Sequence, residues 1–365
     1  MRVLVVNAGS SSVKLALLAG DDATIAAHEL DAPETGVDEE QLAAALDGGL
    51  RDADAVGCRI VHGGERFSAA VRIDDAVESA LRELTALAPL HQPKTLAALD
   101  AVTAALPELP AVACFDTSFH GTMSAAATTY ALPAAWRERW PIRRYGFHGL
   151  SHAWVARRVP ELLGRPAGGL AIVSAHLGAG ASLCAIRDGR SVDTTMGFTP
   201  LEGLVMATRA GSVDPGLVLW LLEQGGLTAH DVSDALERDS GLRGLSGTAD
   251  MRVVEDRAAD GDADAKLALE VYVHRLRAGI AAMVAALGRI DALAFTGGIG
   301  EHSPLIRAAT VNGLAVLGLA IDPARNRSER PDADLSAPSA RARTLAIAAR
   351  EDIEIARQTR TALGG

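Results

Sequence analysis

Cysteine is scarce in this chain of 365 residues: Cys58, Cys114 and Cys184 are an odd and scattered set. Three such thiols offer no disulfide framework and no metal knuckle, and predict reduced side chains. Long apolar runs are missing too. None approaches the ~18 residues needed to span a bilayer. The opening MRVLVVNAG has one arginine and too short an apolar stretch before Asn7 for a signal-peptide core. Both absences predict a cytoplasmic protein with no membrane partner. Positive charge is in deficit, with 35 Lys plus Arg against 46 Asp plus Glu and a net charge of −11. That argues against nucleic acid or an anionic membrane as partner. No low-complexity linker separates the halves, and the Walker spacing GxxxxGK[ST] is absent.

What is present is ordinary in bulk, 48% hydrophobic and 22% charged, as in a soluble globular protein. The length is too great for one ordinary core and predicts two domains. An acidic protein that binds anions must concentrate its positive charge and backbone N–H groups locally, so arginines within sharp motifs carry more weight than the overall balance.

The chain opens as strand, turn, strand: β-branched Val3 to Val6, the small polar run Asn7 to Ser12, then VKLALL at 13 to 18. A Gly-Asp-Asp turn at 20 to 22 and a third strand, ATIAAHEL, follow. A helix is expected over 37 to 50. The pattern returns in GLAIVSAHLGAGASLCAIRDGRSVDTT, 169 to 195, and suggests an internal duplication. In both copies the tight turn joins two strands, whereas a dinucleotide fold leads its Gly-rich turn into a helix. Leu269, Tyr272, Leu276, Ile280, Met283 and Leu287 recur at steps of three and four, an amphipathic helix of roughly six turns. It leads into DALAFTGGIGEHS, a buried strand with a Gly-rich turn. Residues 322 to 341, rich in Asp, Arg, Pro and Ser, read as a surface loop, and the chain ends in a charged helix.

The local motifs each have a functional and an ordinary reading. Around Asn7 to Lys14, Gly9 and the serines suit a phosphate-binding hairpin, and equally a plain hairpin loop. CRIVHGGERF offers Arg59, His62 and Glu65 around a glycine pair. Its arginine suits bidentate recognition of a carboxylate or phosphate, though most single arginines near turns lie at the surface. APLHQPKTL holds His91 between prolines, as a site residue or a cap. ACFDTSFHGTM places Asp116 at the end of a buried strand, where α/β domains meet metals and substrates, or as a helix cap. RRYGFHGLSH, AHLGAGAS and TPLEGLVMATRAGSVDP set further Arg, His and Asp side chains near glycines, and TADMRV has Asp250 and Arg252 two apart.

Taken in order, NAGSSSVKL, RIVHGGE, PLHQP, FDTSFH, RRYGFHGLSH, HLGAG, DTTMGFTPLEGLVMATRAGSVDP and FTGGIGE resemble the acetate kinases over effectively the whole chain. The resemblance implies an α/β fold of two ribonuclease H-like domains, duplicated mixed sheets flanked by helices around a central cleft. These would be residues 1–150 with a C-terminal helix at 352–365, and 151–351 as the nucleotide-binding domain. It implies reversible transfer of the ATP γ-phosphoryl to acetate, giving acetyl phosphate and ADP, with Mg²⁺ (or Mn²⁺) and a homodimer. Carried over by motif, Arg59 and Arg209 would grip the acetate carboxylate and migrating phosphoryl. His148 would stabilise that phosphoryl, and His91 would assist on the substrate side. Asn7 and Glu351 match the metal shell, while Asp116 would orient Arg59 or the metal. Val61, Leu90, Phe147 and Pro200 match the pocket for the acetate methyl. Ser10, Ser12 and Lys14 belong to the first phosphate turn, and His176, Leu177, Gly178, Ala179 and Gly180 to the second. Asp250, Met251, Arg252, Gly297, Gly298, Ile299 and Gly300 match the nucleotide side.

The chain departs from the family pattern at Ala179, Gln92 and His302, where asparagine is usual, and at Cys58, where histidine is usual. Acetate is already an anion at neutral pH, so no catalytic base is expected. Two other readings remain at this stage: a propionate or butyrate kinase, and a nucleotide-driven conformational ATPase of the actin and chaperone type.

Overall fold

The computed structural model describes residues 1–9, 12–31, 38–88 and 92–364. The chain divides into two compact units. Met1–Gly121, Phe147–Trp154 and Arg350–Gly365 form the first, and Thr122–Gly146 with Val155–Ala349 the second.

The first unit is built on a six-stranded mixed sheet: β1 (Val3–Ala8), β2 (Ser12–Leu18), β3 (Thr24–Asp31), β4 (Ala55–Ile60), β5 (Val71–Arg72) and β6 (Ala111–Phe115). Its spatial order is β3-β2-β1-β4-β6-β5. The run VLVVNA forms β1 because its β-branched residues suit a pleated surface buried on both faces. It pairs antiparallel with β2, from Val3 opposite Leu18 to Ala8 opposite Val13. It pairs parallel with β4, which in turn pairs parallel with β6. One face of the sheet joins the helix Gln92–Ala105 in an apolar core that includes Leu4, Val6, Leu15, Leu96, Leu99 and Phe115. The C-terminal helix Glu351–Ala362 packs against β1, β4 and β6. Gly57 permits that approach, since a methyl group there would lie 2.9 Å from the Ile355 side chain.

The second unit repeats the plan with β7 (Ala171–Leu177), β8 (Ala181–Arg187), β9 (Arg190–Thr194), β10 (Ala292–Thr296), β11 (Ala333–Asp334) and β12 (Arg343–Ala346). Its order, β11-β12-β10-β7-β8-β9, is the first sheet's order read with β7, β8, β9, β10, β11 and β12 in place of β1 to β6. The antiparallel and parallel pairings correspond as well. The duplication expected from the two strand-turn-strand segments is therefore present in the sheets. His176, next to last in β7, occupies the place that Asn7 has in β1.

The amphipathic helix runs from Ala263 to Leu287. It starts ahead of the periodic residues because Asp262 caps it, accepting from the Asp264 and Ala265 N–H groups. Residues 322 to 341 are not a plain loop. Asp322 and Pro323 start a short helix, Pro323–Ser328, and β11 follows. A capping Asp followed by Pro is a helix start signal, outweighed at first reading by the polar composition. Among the described residues, no helix is long and apolar enough to cross a membrane.

Candidate functional site

In the first unit, three parallel strands end side by side and present their last residues together, the position at which open α/β sheets meet ligands. Asn7 is next to last in β1, Arg59 next to last in β4, and Asp116 follows β6 directly. The Arg59 guanidinium donates from Nε and Nη2 to Asp116 Oδ2, at 3.0 and 2.6 Å. Its Nη1 donates to the Ala8 carbonyl at 2.9 Å and to Asn7 Oδ1 at 3.4 Å. Asn7 Nδ2 donates to Glu351 Oε2 at 2.9 Å. Four of the five N–H groups of Arg59 are thus engaged among the described residues. The fork that the sequence suggested for a substrate carboxylate faces Asp116, and one N–H remains for a ligand.

Asp116 is fully buried, and its Oδ1 has no hydrogen-bond partner among the described residues. Burial pushes its carboxyl above the ordinary range, opposed by Arg59 and reinforced by Glu351. A cation at Oδ1 would favour the ionised form. The donor set suits a hard divalent ion: Mg²⁺ takes one or two carboxylates and completes its shell with water and substrate phosphates. The candidate oxygens are Asp116 Oδ1, Asn7 Oδ1, which also accepts from Arg59, and the Glu351 carboxylate, which accepts from Asn7. No group of three or more His, Cys, Asp or Glu side chains able to hold a metal occurs among the described residues.

His148 is half-buried, and its backbone has φ of +56°, the left-handed region that costs a non-glycine residue energy. The neighbouring peptide groups over-determine it. His120 Nε2 donates to the Phe147 carbonyl at 3.0 Å, and the Gly149 N–H donates to the Asp116 carbonyl at 2.8 Å. His120 was not singled out from the sequence, although it stands in the quoted FDTSFH. Phe147 is buried, and its ring meets His62 edge-on at 5.5 Å. Val61 is buried just beyond β4. Burial lowers the His62 pKa to about 4, and its Nδ1 accepts the Gly64 N–H. His62 is therefore neutral at pH 7 and shapes the loop. Gln92 steadies the same loop, its Oε1 accepting the His62 N–H at 3.3 Å.

Of the residues expected at the first turn, Ser12 and Lys14 are among those described. The Ser12 hydroxyl donates to Glu29 Oε1 at 2.6 Å, and Lys14 is exposed on the strand position facing Asn7. Ser10, Leu90 and His91 lie outside the described residues.

In the second unit, the turn Gly178–Gly180 joins β7 to β8 and is closed by the Gly178 N–H donating to the Gly180 carbonyl at 2.9 Å. Gly297, with φ of +77°, lets the strand-to-helix turn lie against the Leu177 backbone, where a methyl group would be 2.8 Å from the carbonyl oxygen. Beside these turns is a cavity of about 480 Å³. Gly178, Ala179, Asp250, Met251, Arg252, Gly298 and Ile299, all expected on the nucleotide side, line it. His176, Leu177, Gly180, Gly297 and Gly300 belong to the same two turns or the strand before them and do not line the cavity. Glu255, His302 and Ser303 also line it. Of these, Glu255 was missed, though its i, i+4 spacing from Met251 puts both on one helix face. Ser303 caps the helix Pro304–Asn312 through the Ile306 N–H and donates its hydroxyl to Glu255. Asp250 caps the helix Met251–Ala259 and pairs with Arg252 at 2.7 Å, an exposed pair that contributes little stability. Arg209 is nearly buried, and its Nη1 donates to the Pro200 carbonyl at 2.8 Å. Glu237 lies 3.8 Å from its Nε.

The profile of the Acetokinase family matches residues 40–357. The acetate kinase of Deinococcus radiodurans is 45% identical over 100% of this chain and 99% of that protein. Among solved structures, the acetate kinase of Porphyromonas gingivalis superposes with a TM-score of 0.89 at 35% identity, covering 99% of both chains. A propionate kinase from Francisella tularensis superposes with a TM-score of 0.91 at 35% identity over 99% of both.

Proposed function

The chain belongs to the acetokinase family and is a kinase that phosphorylates a carboxylate; from that premise we propose the division of labour by which it makes acetyl phosphate and ADP from acetate and ATP, reversibly and by direct in-line transfer. The observation that carries the reading is the buried Arg59–Asp116 pair with Asn7 and Glu351 at the joined strand ends. Phosphoryl transfer needs positioning and charge compensation more than covalent help. The remaining N–H of Arg59, the Arg209 guanidinium and the His148 ring supply donors for the carboxylate and the migrating phosphoryl. Asp116 holds Arg59 in place and is not a base, because acetate arrives ionised. By the family resemblance, Val61, Leu90, Phe147 and Pro200 are assigned to the acetate methyl group and His91 to the substrate side. Mg²⁺, or Mn²⁺ in its place, would be held by Asp116, Asn7 and Glu351, and would neutralise charge on the nucleotide's terminal phosphates. Ser10, Ser12 and Lys14 serve the phosphates on the first unit's side.

The cavity beside Gly178 and Gly298 supports a nucleoside triphosphate as donor, since pyrophosphate alone would need no space lined by Met251 and Ile299. The propionate kinase relative favours a second reading in which longer acids are also used, because one methylene is worth only ~1–3 kcal/mol in such a pocket. A coupled acetyl-phosphate assay tests both. ATP should support rapid turnover that depends on acetate, with KM rising from acetate through propionate to butyrate. Equal turnover with pyrophosphate, ATP hydrolysis independent of acetate, or a lower KM for butyrate than acetate would overturn the reading.

Val61→Ala should enlarge the acyl pocket and raise kcat/KM for propionate relative to acetate by about 10-fold. An unchanged ratio would remove Val61 from the pocket.

A homodimer in the cytoplasm is part of the proposal. The helix Pro215–Glu223, PGLVLWLLE, has no buried residue and leaves Leu219 58% and Trp220 57% exposed. An apolar face of that kind marks an association surface.

A further inference from the structure

The segment that follows β9 has no regular structure, yet it is tied down at nearly every peptide. Arg144 Nη1 donates to the carbonyls of Thr195 and Met196 at 3.1 and 3.0 Å. The Tyr145 and Gly146 N–H groups donate to the Gly197 carbonyl at 3.1 and 3.3 Å. The Phe198 N–H donates to the Tyr130 hydroxyl oxygen at 2.9 Å. One carboxylate joins these tethers: Glu202 accepts from the Tyr130 hydroxyl at 2.5 Å and from Arg144 Nη2 at 2.8 Å. The fit leaves no spare room, since a methyl group on Gly197 would lie 2.8 Å from Glu202 Cδ and closer still to the Tyr130 hydroxyl.

The end of this segment is Pro200, whose carbonyl is the only close hydrogen-bond partner of the Arg209 guanidinium among the described residues. The other anchor, the Glu237 carboxylate, is 3.8 Å away; burial pushes its pKa up, and the Arg209 charge opposes that. If the Pro200 carbonyl moved, the Coulomb attraction in this poorly solvated setting would draw the guanidinium onto Glu237.

We infer that Tyr130, Arg144 and Glu202 are positioning residues for Arg209: they lock residues 195–200 so that the Pro200 carbonyl holds the guanidinium off Glu237. The inference rests on the reading of Arg209 as a group that touches the carboxylate or the migrating phosphoryl. The three clamp residues themselves line neither the nucleotide cavity nor the acyl surface. Burial and Glu202 raise the Tyr130 pKa to about 12, so its hydroxyl remains a donor throughout the neutral range.

The test is a double-mutant cycle on steady-state kinetics. Glu202→Gln puts an amide N–H against one of two donors, and Tyr130→Phe removes one tether at constant ring volume. Each should lower kcat by ~10- to 100-fold, the cost of misplacing a reacting group by about an ångström, while KM for ATP stays within twofold. In an Arg209→Lys background the same changes should cost less than threefold more, because the group they position is already gone. Glu237→Gln added to Glu202→Gln should recover at least part of the lost kcat. Losses that multiply in full in the Arg209→Lys background, or wild-type kcat in both clamp variants, would overturn the inference. Wild-type turnover in Arg209→Lys alone would remove the reading beneath it, and the clamp with it. Should Glu202→Gln fail to fold, Tyr130→Phe decides the question by the same measurements.

Discussion

Arg59→Ala should reduce kcat for acetyl phosphate formation by about 10³-fold or more, the scale set by arginines that stabilise a phosphoryl-transfer transition state. KM for ATP should change little, because the residues lining the cavity proposed for the nucleotide belong to the second unit. The same substitution leaves Asp116 buried with neither of its oxygens paired, and stability should fall by ~3–5 kcal/mol. The two effects can be separated. Arg59→Ala combined with Asp116→Asn removes the stranded charge and should recover much of the lost melting temperature, with no recovery of kcat. Arg59→Lys keeps the charge but cannot reach Asp116, Ala8 and Asn7 together, since an ammonium lacks the planar fork. It should therefore remain at least tenfold impaired. Full activity in Arg59→Ala would refute the assignment of this cluster.

Gly149→Ala should be the most damaging single methyl group in the first unit. Its Cβ would lie 3.0 Å from the Asp116 carbonyl carbon, 3.1 Å from Phe119 Cβ, and nearer than either to the Asp116 carbonyl oxygen. Because that neighbour is backbone, no side-chain rotation relieves the clash. The peptide carrying His148 and the end of β6 must separate, and the Gly149 N–H bond to Asp116 is lost with them. Overpacking of this kind costs ~1–3 kcal/mol, and a protein of this size loses roughly 2–4 °C in melting temperature per kcal/mol. The expected result is a melting temperature lower by about 3–10 °C. A fall in kcat of ~10²-fold should accompany it, since Asp116 and His148 move apart. Differential scanning calorimetry with steady-state kinetics measures both. If neither changes, the contact between the two segments is not what aligns the site.

Much of this was legible in the residues. The β-branched runs, the Asp-Gly and Gly-Ser turns and the helical spacing of Tyr272, Leu276, Ile280 and Met283 announce their elements, because hydrophobic period and turn chemistry are local properties. The recurrence of strand, turn, strand at 169 to 195 announced the duplication. The chemistry was legible as motifs: FDTSFH, RRYGFHGLSH and HLGAG carry unusual residues in unusual surroundings. Tyr130 offered no such signal, because an isolated tyrosine between a threonine and an alanine reads as surface. Its importance comes from the Glu202 carboxylate, 72 residues further on. The helix Pro323–Ser328 was hidden for a different reason, its short length and polar composition leaving only the Asp-Pro start as evidence.

By itself the sequence determined the α/β class, the duplicated plan, the family and hence the kind of reaction. Those follow from patterns written over neighbouring residues. Only the tertiary structure decided which charged groups meet. Residues 7, 59, 116 and 351 meet because parallel β1, β4 and β6 end together and Gly57 admits the C-terminal helix. That meeting turns the Arg59 fork toward Asp116 and leaves Asp116 Oδ1 without a partner among the described residues, beside a His148 held in a left-handed conformation. A guanidinium can satisfy its five donors in many ways, and local sequence does not choose among them. The choice is made by which strand ends the sheet sets side by side.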